Sequence, residues 1–467
     1  SLRKLIGLKT DAKYAALADF FDSNGQYKLA KQAKNSYRSL LPNQYEKDFI
    51  ETDKRVNIFY NIIIGHVFKI FPIPNDSNNK WISATESEHS GIEDKDLLYV
   101  KNILPLYFNS LVTSFENENY SKSDSILLSI ERYQIKFGSK VRPSKAKISA
   151  EILYNKYDVF KGLFKWYMYG GVFMLSISLL NIFNSSKILR ISLKIMHYIV
   201  LGLFTSQTLG LICRWYISGH APWSDAYETI IYISWATMLF GLILGRKSNI
   251  TIASTAFVVS MILMVAHWNW LDPSIANLQP VLNSYWLMIH VAIIVASYGP
   301  FTLGMVLGFV ALVMMCFLND SNKDLLKDAI TKVLLITEMS LTIGLIMLTI
   351  GNFLGGQWAN ESWGRYWAWD PKETWALISI MIYAFVLHMR LVPILRGKWI
   401  LALFSVLSIY SILMTYFGVN FYLSGLHSYA KGDKVITPLY IYYSLGFLLI
   451  LAIISFYKQR TFLNSKL

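Results

Sequence analysis

The long apolar runs of the chain constrain its fold more than any other feature. From about residue 159 onward the sequence holds nine runs close to the roughly 20 residues that a helix needs to cross a bilayer. The runs lie at approximately 160–183, 191–213, 226–245, 249–267, 285–318, 333–353, 375–393, 400–421 and 438–457. We therefore predict an all-α, polytopic membrane protein with about nine transmembrane helices.

The overall composition agrees with this fold class. Of the 467 residues, 54% are hydrophobic, and the mean hydropathy is +0.37. The formal net charge of +14 would suggest nucleic acid as the partner of a soluble domain. In a membrane protein, basic loops on one side explain the same charge. We therefore expect the lipid bilayer, and not nucleic acid, as a partner.

Lysine and arginine are concentrated in alternate connections between the apolar runs. One set of connections contains Lys187, Arg190, Lys194, Arg246, Lys247, Lys323, Lys327, Lys332, Arg390, Arg396, Lys398, Lys458 and Arg460. The other set contains only Arg214, Arg365, Lys372, Lys431 and Lys434. Because basic loops stay in the cytoplasm, we predict a multi-pass protein of the bacterial inner membrane with a cytoplasmic C-terminus. Residues 1–158 and the connection at 355–375 are then periplasmic.

Residues 1–158 have the composition of a water-soluble, mostly helical domain. In Ser121–Phe137, for example, apolar residues recur at helical spacing. We interpret His66 and His89 as ordinary residues of this domain rather than as ligands. A domain of this size needs a preceding segment to carry it across the membrane. We therefore expect the chain to be the C-terminal part of a longer protein, or a processed piece of one.

A tryptophan-rich stretch, Gly355–Trp375, lies between the sixth and seventh runs and reads GGQWANESWGRYWAWDPKETW. One interpretation is an interfacial aromatic belt, because tryptophan favours the membrane–water boundary. A belt is spread over many segment ends, whereas here five tryptophans occur in one predicted loop. We therefore favour a binding surface for a large, flat, apolar ligand, which ring faces bury well.

Several histidines lie near the predicted ends of the spans. His290 is near the outer end of the fifth span, and His427 is in the last outer loop, so both can reach the tryptophan-rich stretch. Two imidazoles beside a surface of indoles suggest haem, with nitrogen ligands for the iron and ring faces for the porphyrin. A zinc site is the main metal alternative, but zinc usually takes three or four close ligands. Taken singly, each histidine is equally well explained as an interfacial residue. The remaining histidines of this region are His197, His220, His267 and His388.

The tryptophan-rich stretch also carries a family resemblance. WANESWGRYWAWDPKETWAL resembles the WWD signature of the cytochrome c synthetases of the CcsA or CcsBA type, the System II haem-attachment machinery. RWYISGHAPWSDAYE and GVNFYLSGLHSY are similar to other parts of that family. The resemblance covers about 190–457 within a CcsA-like domain at 190–467. Residues 1–158, with a first span and link at 159–189, resemble the end of the CcsB/ResB-like half of fused CcsBA proteins.

The resemblance implies a function in cytochrome c biogenesis. Proteins of this type carry haem b across the membrane and attach it by thioether bonds to the CxxCH cysteines of apocytochrome c. The outer haem ligands of the family match His290 and His427, and its ligand within the membrane matches His388. The second intramembrane ligand belongs to the other half, which precedes this chain; His197 is an alternative.

The resemblance also implies roles for the residues around the haem. Trp358, Trp363, Trp367 and Trp369 would floor or flank the porphyrin. Asp370 would brace the loop or orient a polar group, and we favour bracing. Arg214 and Arg365 are candidates for pairing with the propionates. Catalysis would come from haem positioning by His290, His427 and Asp370, with no side-chain nucleophile. Glu338, within the sixth span, is interpreted as a packing residue paired with a polar neighbour.

Two other functions are consistent with the same residues. One is a haem exporter or haem-handling protein without ligation activity. The other is a general solute transporter with an aromatic-lined entrance, which the absence of internal repeats disfavours. We favour the haem lyase because of the large outer domain and the fused architecture.

Overall fold

The computed structural model of the chain contains two compact units, Ser1–Ser144 and Lys145–Leu467. The residues described are 2–8, 14–38, 44–184, 186–267, 271–275, 284–423, 425 and 439–462. His427 lies outside the described residues.

The first unit is mostly helical, as predicted. Its helices are α1 (Leu2–Ile6), α2 (Ala30–Arg38), α3 (Gln44–Ile63), α4 (Asp94–Glu116) and α5 (Ser121–Gly138). A short antiparallel pair, β1 (Phe71–Pro72) and β2 (Trp81–Ile82), and 3₁₀ turns at Leu17–Phe20 and Ala84–His89 complete it. The apolar face of α5, with Ile126, Ile130 and Tyr133, packs against Val100 and Ile103 of α4 and against Phe71.

The second unit is a bundle of long helices. They are α6 (Lys145–Tyr157), α7 (Val159–Phe183), α8 (Lys187–Ser218), α9 (Ala226–Leu244), α10 (Asn249–Ala266), α11 (Tyr285–Cys316), α12 (Lys323–Trp363), α13 (Pro371–His388), α14 (Lys398–Leu407), α15 (Ile409–Leu413), α16 (Val419–Tyr422) and α17 (Leu439–Phe462). A π-helical turn, Met414–Gly418, joins α15 to α16. Within the described residues, nine helical segments are long and apolar enough to cross a membrane. The predicted all-α polytopic membrane fold is confirmed.

Polar residues fix where several of these helices begin. The side chains of Ser186, Asp225 and Ser248 each accept a hydrogen bond from a backbone N–H in the first turn of α8, α9 or α10. Such caps satisfy donors that have no partner within the helix. These polar residues therefore define where the three helices begin. Most predicted spans agree with the observed helices to within about five residues, but α12 (Lys323–Trp363) extends ten residues beyond the predicted 333–353 at each end.

Helix α11 lies at the centre of the second unit. It packs against α12, α9, α14 and α17, and α10 packs against α7. We call the end of this bundle that carries Trp363–Asp370 the tryptophan end, and the opposite end the His388 end. Helices α12 and α13 are joined at the tryptophan end. Since successive spans run in opposite directions, the N-terminus of α11 and the C-terminus of α8 also lie at this end.

The prediction of one loop at Gly355–Trp375 is wrong for the first and last residues of that stretch, which are helical. Helix α12 continues through Trp363 and ends at Gly364, whose φ of 70° is left-handed and closes the helix. Helix α13 begins at Pro371, so the loop is only Gly364–Asp370. The glycine pair and the tryptophans suggested a loop, but 355–363 contains no proline, and packing on α11 stabilises the added turns.

Glycine permits one very close approach between helices. A Cβ added to Gly171 of α7 would lie 2.8 Å from the backbone Cα of Phe257 in α10. We expect Gly171→Ala to lower the free energy of unfolding by about 1–3 kcal/mol, because the backbone of α10 has to move. Denaturant titration in detergent measures this change.

Gly202, in the middle of α8, is the matched control for Gly171. An added Cβ there meets nothing within 4 Å. We expect Gly202→Ala to be neutral or stabilising by roughly 0.5–1 kcal/mol, from helix propensity alone. Equal destabilisation by both substitutions would contradict the close α7–α10 contact.

Candidate functional site

His290 is held in one tautomer near the start of α11. Its Nδ1 lies 2.8 Å from the carbonyl oxygen of Trp286, one turn earlier in the helix. Because a carbonyl oxygen only accepts hydrogen bonds, Nδ1 carries the proton in the neutral ring and Nε2 keeps its lone pair. A histidine that donates through one nitrogen and ligates through the other is the usual arrangement at a metal ion. His290 therefore has the ring arrangement that metal-binding histidines commonly use.

Helix α12 supports the His290 ring from one side. The indole of Trp358 stacks on the imidazole with 5.3 Å between ring centroids and 27° between planes. At Gly355 an added Cβ would lie 3.4 Å from Cδ2 of His290, so the glycine leaves space for the ring. Trp358 is only 4% exposed. The prediction that Trp358 floors or flanks the porphyrin stays a prediction; in the structure its ring packs against the His290 imidazole.

Trp363 and Arg365 continue the aromatic cluster towards the loop. Trp363 meets Trp358 edge to face, with 4.7 Å between centroids, and the Arg365 guanidinium carbon lies 5.6 Å from the Trp363 ring. The Arg365 Nη1 is buried and has no hydrogen-bond partner among the described residues. A buried guanidinium donor without a partner fits an incoming carboxylate well. Arg365 therefore stays a candidate for binding a haem propionate.

Trp367 and Trp369 form a second, separate aromatic pair. Their ring centroids are 5.8 Å apart at 89°, and Trp369 is 70% exposed. Trp369 has φ of 58°, which is unusual for a bulky residue. The Glu373 carboxylate holds this strained turn, because Oε2 accepts hydrogen bonds from the backbone N–H groups of Ala368 (2.9 Å) and Asp370 (3.3 Å). The loop thus holds an indole in the solvent-exposed position that a flat ligand needs.

Asp370 ends this loop and caps α13. The bracing role, which the sequence analysis favours over orienting a polar group, stays a prediction. The carboxylate caps α13 by accepting from the Lys372 backbone N–H at 3.1 Å, and it is 6% exposed. Lys372 Nζ donates to Asn420 Oδ1 of α16 at 2.8 Å. An added Cβ on Gly425 would run into the Asp370 carboxylate and lie 2.8 Å from Pro371 Cδ. The chain therefore passes Asp370 two residues before His427.

A comparison of two substitutions tests the bracing role of Asp370. We expect Asp370→Asn to keep the capping hydrogen bond and to retain most haem binding. Asp370→Ala loses the cap, at a cost of about 1 kcal/mol, and loosens the contact with Gly425. Haem content after purification measures the difference. If Asp370→Asn is as defective as Asp370→Ala, the negative charge itself is needed and bracing does not account for the residue.

Arg214 has a different role from the one predicted. It is fully buried near the end of α8. Its N–H groups donate to or pair with Glu228 Oε1 at 2.8 Å, the Pro273 carbonyl at 2.9 Å, the Ser274 carbonyl at 3.2 Å, the Tyr154 hydroxyl at 3.5 Å and Asp225 Oδ2 at 3.6 Å. No donor is left for a propionate. The prediction that Arg214 binds haem does not fit this arrangement, because the residue holds two connections together.

His388 is the last residue of α13 and lies at the end of that helix away from the tryptophan end. Its Nδ1 lies 2.7 Å from the Ala384 carbonyl oxygen, so Nε2 again keeps its lone pair, and the side chain is exposed. Helix α13 has 18 residues, which places its two ends about 26 Å apart. His388 therefore belongs to a site separate from that of His290. The alternative ligand His197 is on α8, which packs on α7, α6, α9 and α10 rather than on α13.

A mostly apolar cleft with three charged side chains lies at the His388 end, between α12, α13 and the start of α14. It has a volume of about 370 Å³ and is lined by Glu338, Arg390 and Lys398 among leucines. Glu338 forms an ion pair with Arg390, and Lys398 Nζ donates to Thr331 Oγ1 at 2.6 Å. The prediction that Glu338 pairs with a polar neighbour is confirmed.

Of the other described histidines, His66, His220 and His267 belong to no group of three or more side chains that could hold a metal ion. His220 Nδ1 lies 3.3 Å from the Ala221 carbonyl, and His66 lies 3.6 Å from Glu86. The His267 ring lies 6.2 Å from Tyr227, and burial lowers its pKa. In the part of the chain that the structure describes, no three His, Cys, Asp or Glu side chains converge as a metal site. A zinc site of that kind is thus absent from the described residues.

Comparison with known proteins identifies the family of the chain. Residues 223–427 match the family model described as "Cytochrome C assembly protein". The chain is 36% identical to the cytochrome c biogenesis protein CcsA of Synechococcus sp. over 258 residues, which is 49% of this chain and 83% of that protein. It is 33% identical to CcsA of Prochlorococcus marinus subsp. pastoris over 287 residues, 55% of this chain and 88% of that protein. The chain belongs to the cytochrome c assembly family.

A longer relative matches nearly the whole chain. Protein NrfI of Wolinella succinogenes is 44% identical over 446 residues, which is 93% of this chain and 48% of NrfI. The chain therefore spans about half the length of that relative. Among solved structures, the cytochrome c haem lyase CcmF aligns with a TM-score of 0.43 and 16% identity, over 64% of this chain and 50% of CcmF.

The family match includes the candidate site. Residues 223–427 contain His290, the tryptophan cluster, Asp370, His388 and His427, but not Arg214. Sequence analysis missed the polar network around Glu228 and Trp223. The signal for it was present, because Glu228 is an acid at the start of an apolar run, where a buried charge needs a partner.

Proposed function

We propose that this protein is a cytochrome c synthetase that presents haem at the tryptophan end of the bundle. The observation that carries the proposal is His290, whose Nδ1 is held by the Trp286 carbonyl so that Nε2 can bind iron beside the tryptophan cluster. A histidine in this tautomer beside a cluster of indoles fits a haem better than a small solute. Haem b and apocytochrome c are the proposed substrates.

The residues divide into ligands and supports. His290 and His427 bind the iron from opposite sides. Trp363, Trp367 and Trp369 contact the porphyrin, and Arg365 pairs with a propionate. Behind these contacts, Trp358 supports His290 and Asp370 braces the loop. His388 binds haem at the other end of α13, with the second ligand from the CcsB-like half of the same or a partner chain.

The attachment step needs only proximity and orientation from the protein. A cysteine S–H of the CxxCH motif adds across a haem vinyl group. The S–C bond forms at one vinyl carbon, the proton ends on the other, and the vinyl double bond is consumed. This addition needs no oxidant and no leaving group. Holding thiol and vinyl at reacting distance is worth several orders of magnitude in rate, so no nucleophile of this chain takes part.

The charge distribution supports one orientation in the membrane. The His388 end carries Lys187, Arg190, Arg246, Lys247, Lys323 and Lys327 in its connections. By the positive-inside rule this end is cytoplasmic, which places the tryptophan end in the periplasm of a bacterium. Apocytochrome c is then met on the periplasmic side, and haem enters from the cytoplasmic side.

Co-expression with an apocytochrome c tests the proposal. The chain is produced within its native full-length protein, together with a secreted CxxCH-containing apocytochrome. We expect haem on the cytochrome that survives denaturing electrophoresis. An AxxAH substrate, which has no thiol left, controls for thioether chemistry. If the protein binds haem but attaches none, it is a haem-handling protein without ligation activity.

A further inference from the structure

A buried hydrogen-bond network connects three helices at the tryptophan end and lies outside the proposed haem contacts. It begins at Arg214 near the end of α8 and includes Glu228 in the first turn of α9. It ends at Met288 in the first turn of α11, the helix that carries His290. Because it joins the ends of separate helices, it determines where those ends lie relative to one another.

The centre of the network is a buried ion pair. Arg214 Nε donates to Glu228 Oε1 at 2.8 Å, and neither side chain is exposed to solvent. The other oxygen, Glu228 Oε2, accepts from the backbone N–H of Ser224 at 2.9 Å. The ion pair therefore fixes the connection between α8 and α9 at Ser224.

Trp223, next to Ser224, carries the network to α11. Its indole Nε1 donates to the carbonyl oxygen of Met288 at 3.2 Å. The same indole is wedged between Tyr232 and Trp215, with ring centroids at 4.8 Å and 5.7 Å. Since an indole N–H is only a donor, its direction is set once the ring is held on both sides.

The first turn of α11 is the place where such a bond has an effect. The first and last turns of a helix fray, because some of their backbone groups have no partner within the helix. Helix α11 begins at Tyr285, so Met288 and His290 lie within its first two turns. A hydrogen bond to Met288 from outside the helix opposes fraying and fixes the position of His290.

We infer that Trp223, held in place by the Arg214–Glu228 pair, is a positioning residue for His290 and strengthens its bond to the haem iron. The inference rests on the proposed function, since it takes His290 as an iron ligand. Trp223 itself contacts neither the iron nor the proposed porphyrin-binding indoles. It acts through the Met288 carbonyl.

The test replaces Trp223 with phenylalanine, which keeps an aromatic ring and removes only the N–H. The full-length protein is purified with haem, and imidazole is added until the visible spectrum shows half-maximal ligand exchange. We expect the imidazole midpoint of Trp223→Phe to be roughly three- to tenfold lower than that of the wild type, as one lost hydrogen bond implies. Trp215→Phe is the control, because Trp215 touches the same indole and donates no bond to α11.

A His290→Gly background separates positioning from a general structural effect. There imidazole fills the place of the missing side chain, and adding Trp223→Phe should leave its midpoint unchanged. An equal shift in both backgrounds, or no shift in either, overturns the positioning role. If His290→Gly alone leaves the spectrum unaltered, the ligand assignment of the proposed function fails, and this inference fails with it.

Discussion

Replacing His290 with alanine is expected to remove covalent haem attachment while leaving haem at the His388 site. Removing a residue that hydrogen-bonds to a metal ligand typically costs about 10–100-fold in metal affinity or activity. Loss of the ligand itself should reach the upper limit, about a hundredfold in holocytochrome yield. His427→Ala should give a similar loss, because both histidines hold the same iron in the proposed site.

The visible spectrum of the purified protein measures this prediction alongside the yield. We expect the His290→Ala spectrum to lose the contribution of one bis-histidine haem, and added imidazole to restore it. His220→Ala is the matched control, since His220 lies at the same end of the bundle and its Nδ1 faces the Ala221 carbonyl. It should leave both spectrum and yield unchanged.

The opposite outcome is equally informative. If haem attachment survives in His290→Ala and falls in His388→Ala, the chemistry takes place at the other end of α13. The tautomer of His290 would then serve packing against Trp358 alone. A loss in His290→Ala that imidazole does not restore would indicate damage to the fold of the tryptophan end rather than loss of a ligand.

The spans were predictable because bilayer thickness and apolar run length are linked directly. The fifth run was predicted at 285–318 and is observed as Tyr285–Cys316. The loop between the sixth and seventh spans was not predictable in the same way. Whether Gly355–Trp363 is helical depends on what it packs against, and the His290 ring, near the start of α11, is more than sixty residues away in sequence.

Arg214 shows that residue type alone does not predict the role of a side chain. A guanidinium near a predicted haem site suggested propionate binding, but its partners decide its role. The Pro273 and Ser274 carbonyls that it reaches are 59 and 60 residues distant in the chain. No local pattern indicates such contacts. Arg365, by contrast, was predicted for the same reason and has a buried donor with no partner among the described residues.

Removing Glu228 is expected to destabilise the protein far more than removing an exposed acid. Glu228→Ala leaves the Arg214 charge buried and the Ser224 backbone N–H without its acceptor. Breaking a buried ion pair at one partner costs roughly 3–5 kcal/mol. We expect a loss of this size in the free energy of unfolding, measured by denaturant titration in detergent. Glu228→Gln, which keeps one acceptor oxygen for one of the two donors, should lose less.

The Glu338–Arg390 pair provides the internal control. Its side chains are 30% and 70% exposed, so the protein does not enclose this pair as it encloses Arg214 and Glu228. We therefore expect Glu338→Ala to cost clearly less than Glu228→Ala. If the two acid-to-alanine substitutions cost the same, Arg214 is accommodated without Glu228, and the Arg214–Glu228 pair does not hold the α8–α9 connection. If only Glu228→Ala causes a large loss in the free energy of unfolding, the stability of the tryptophan end depends on the buried Arg214–Glu228 pair.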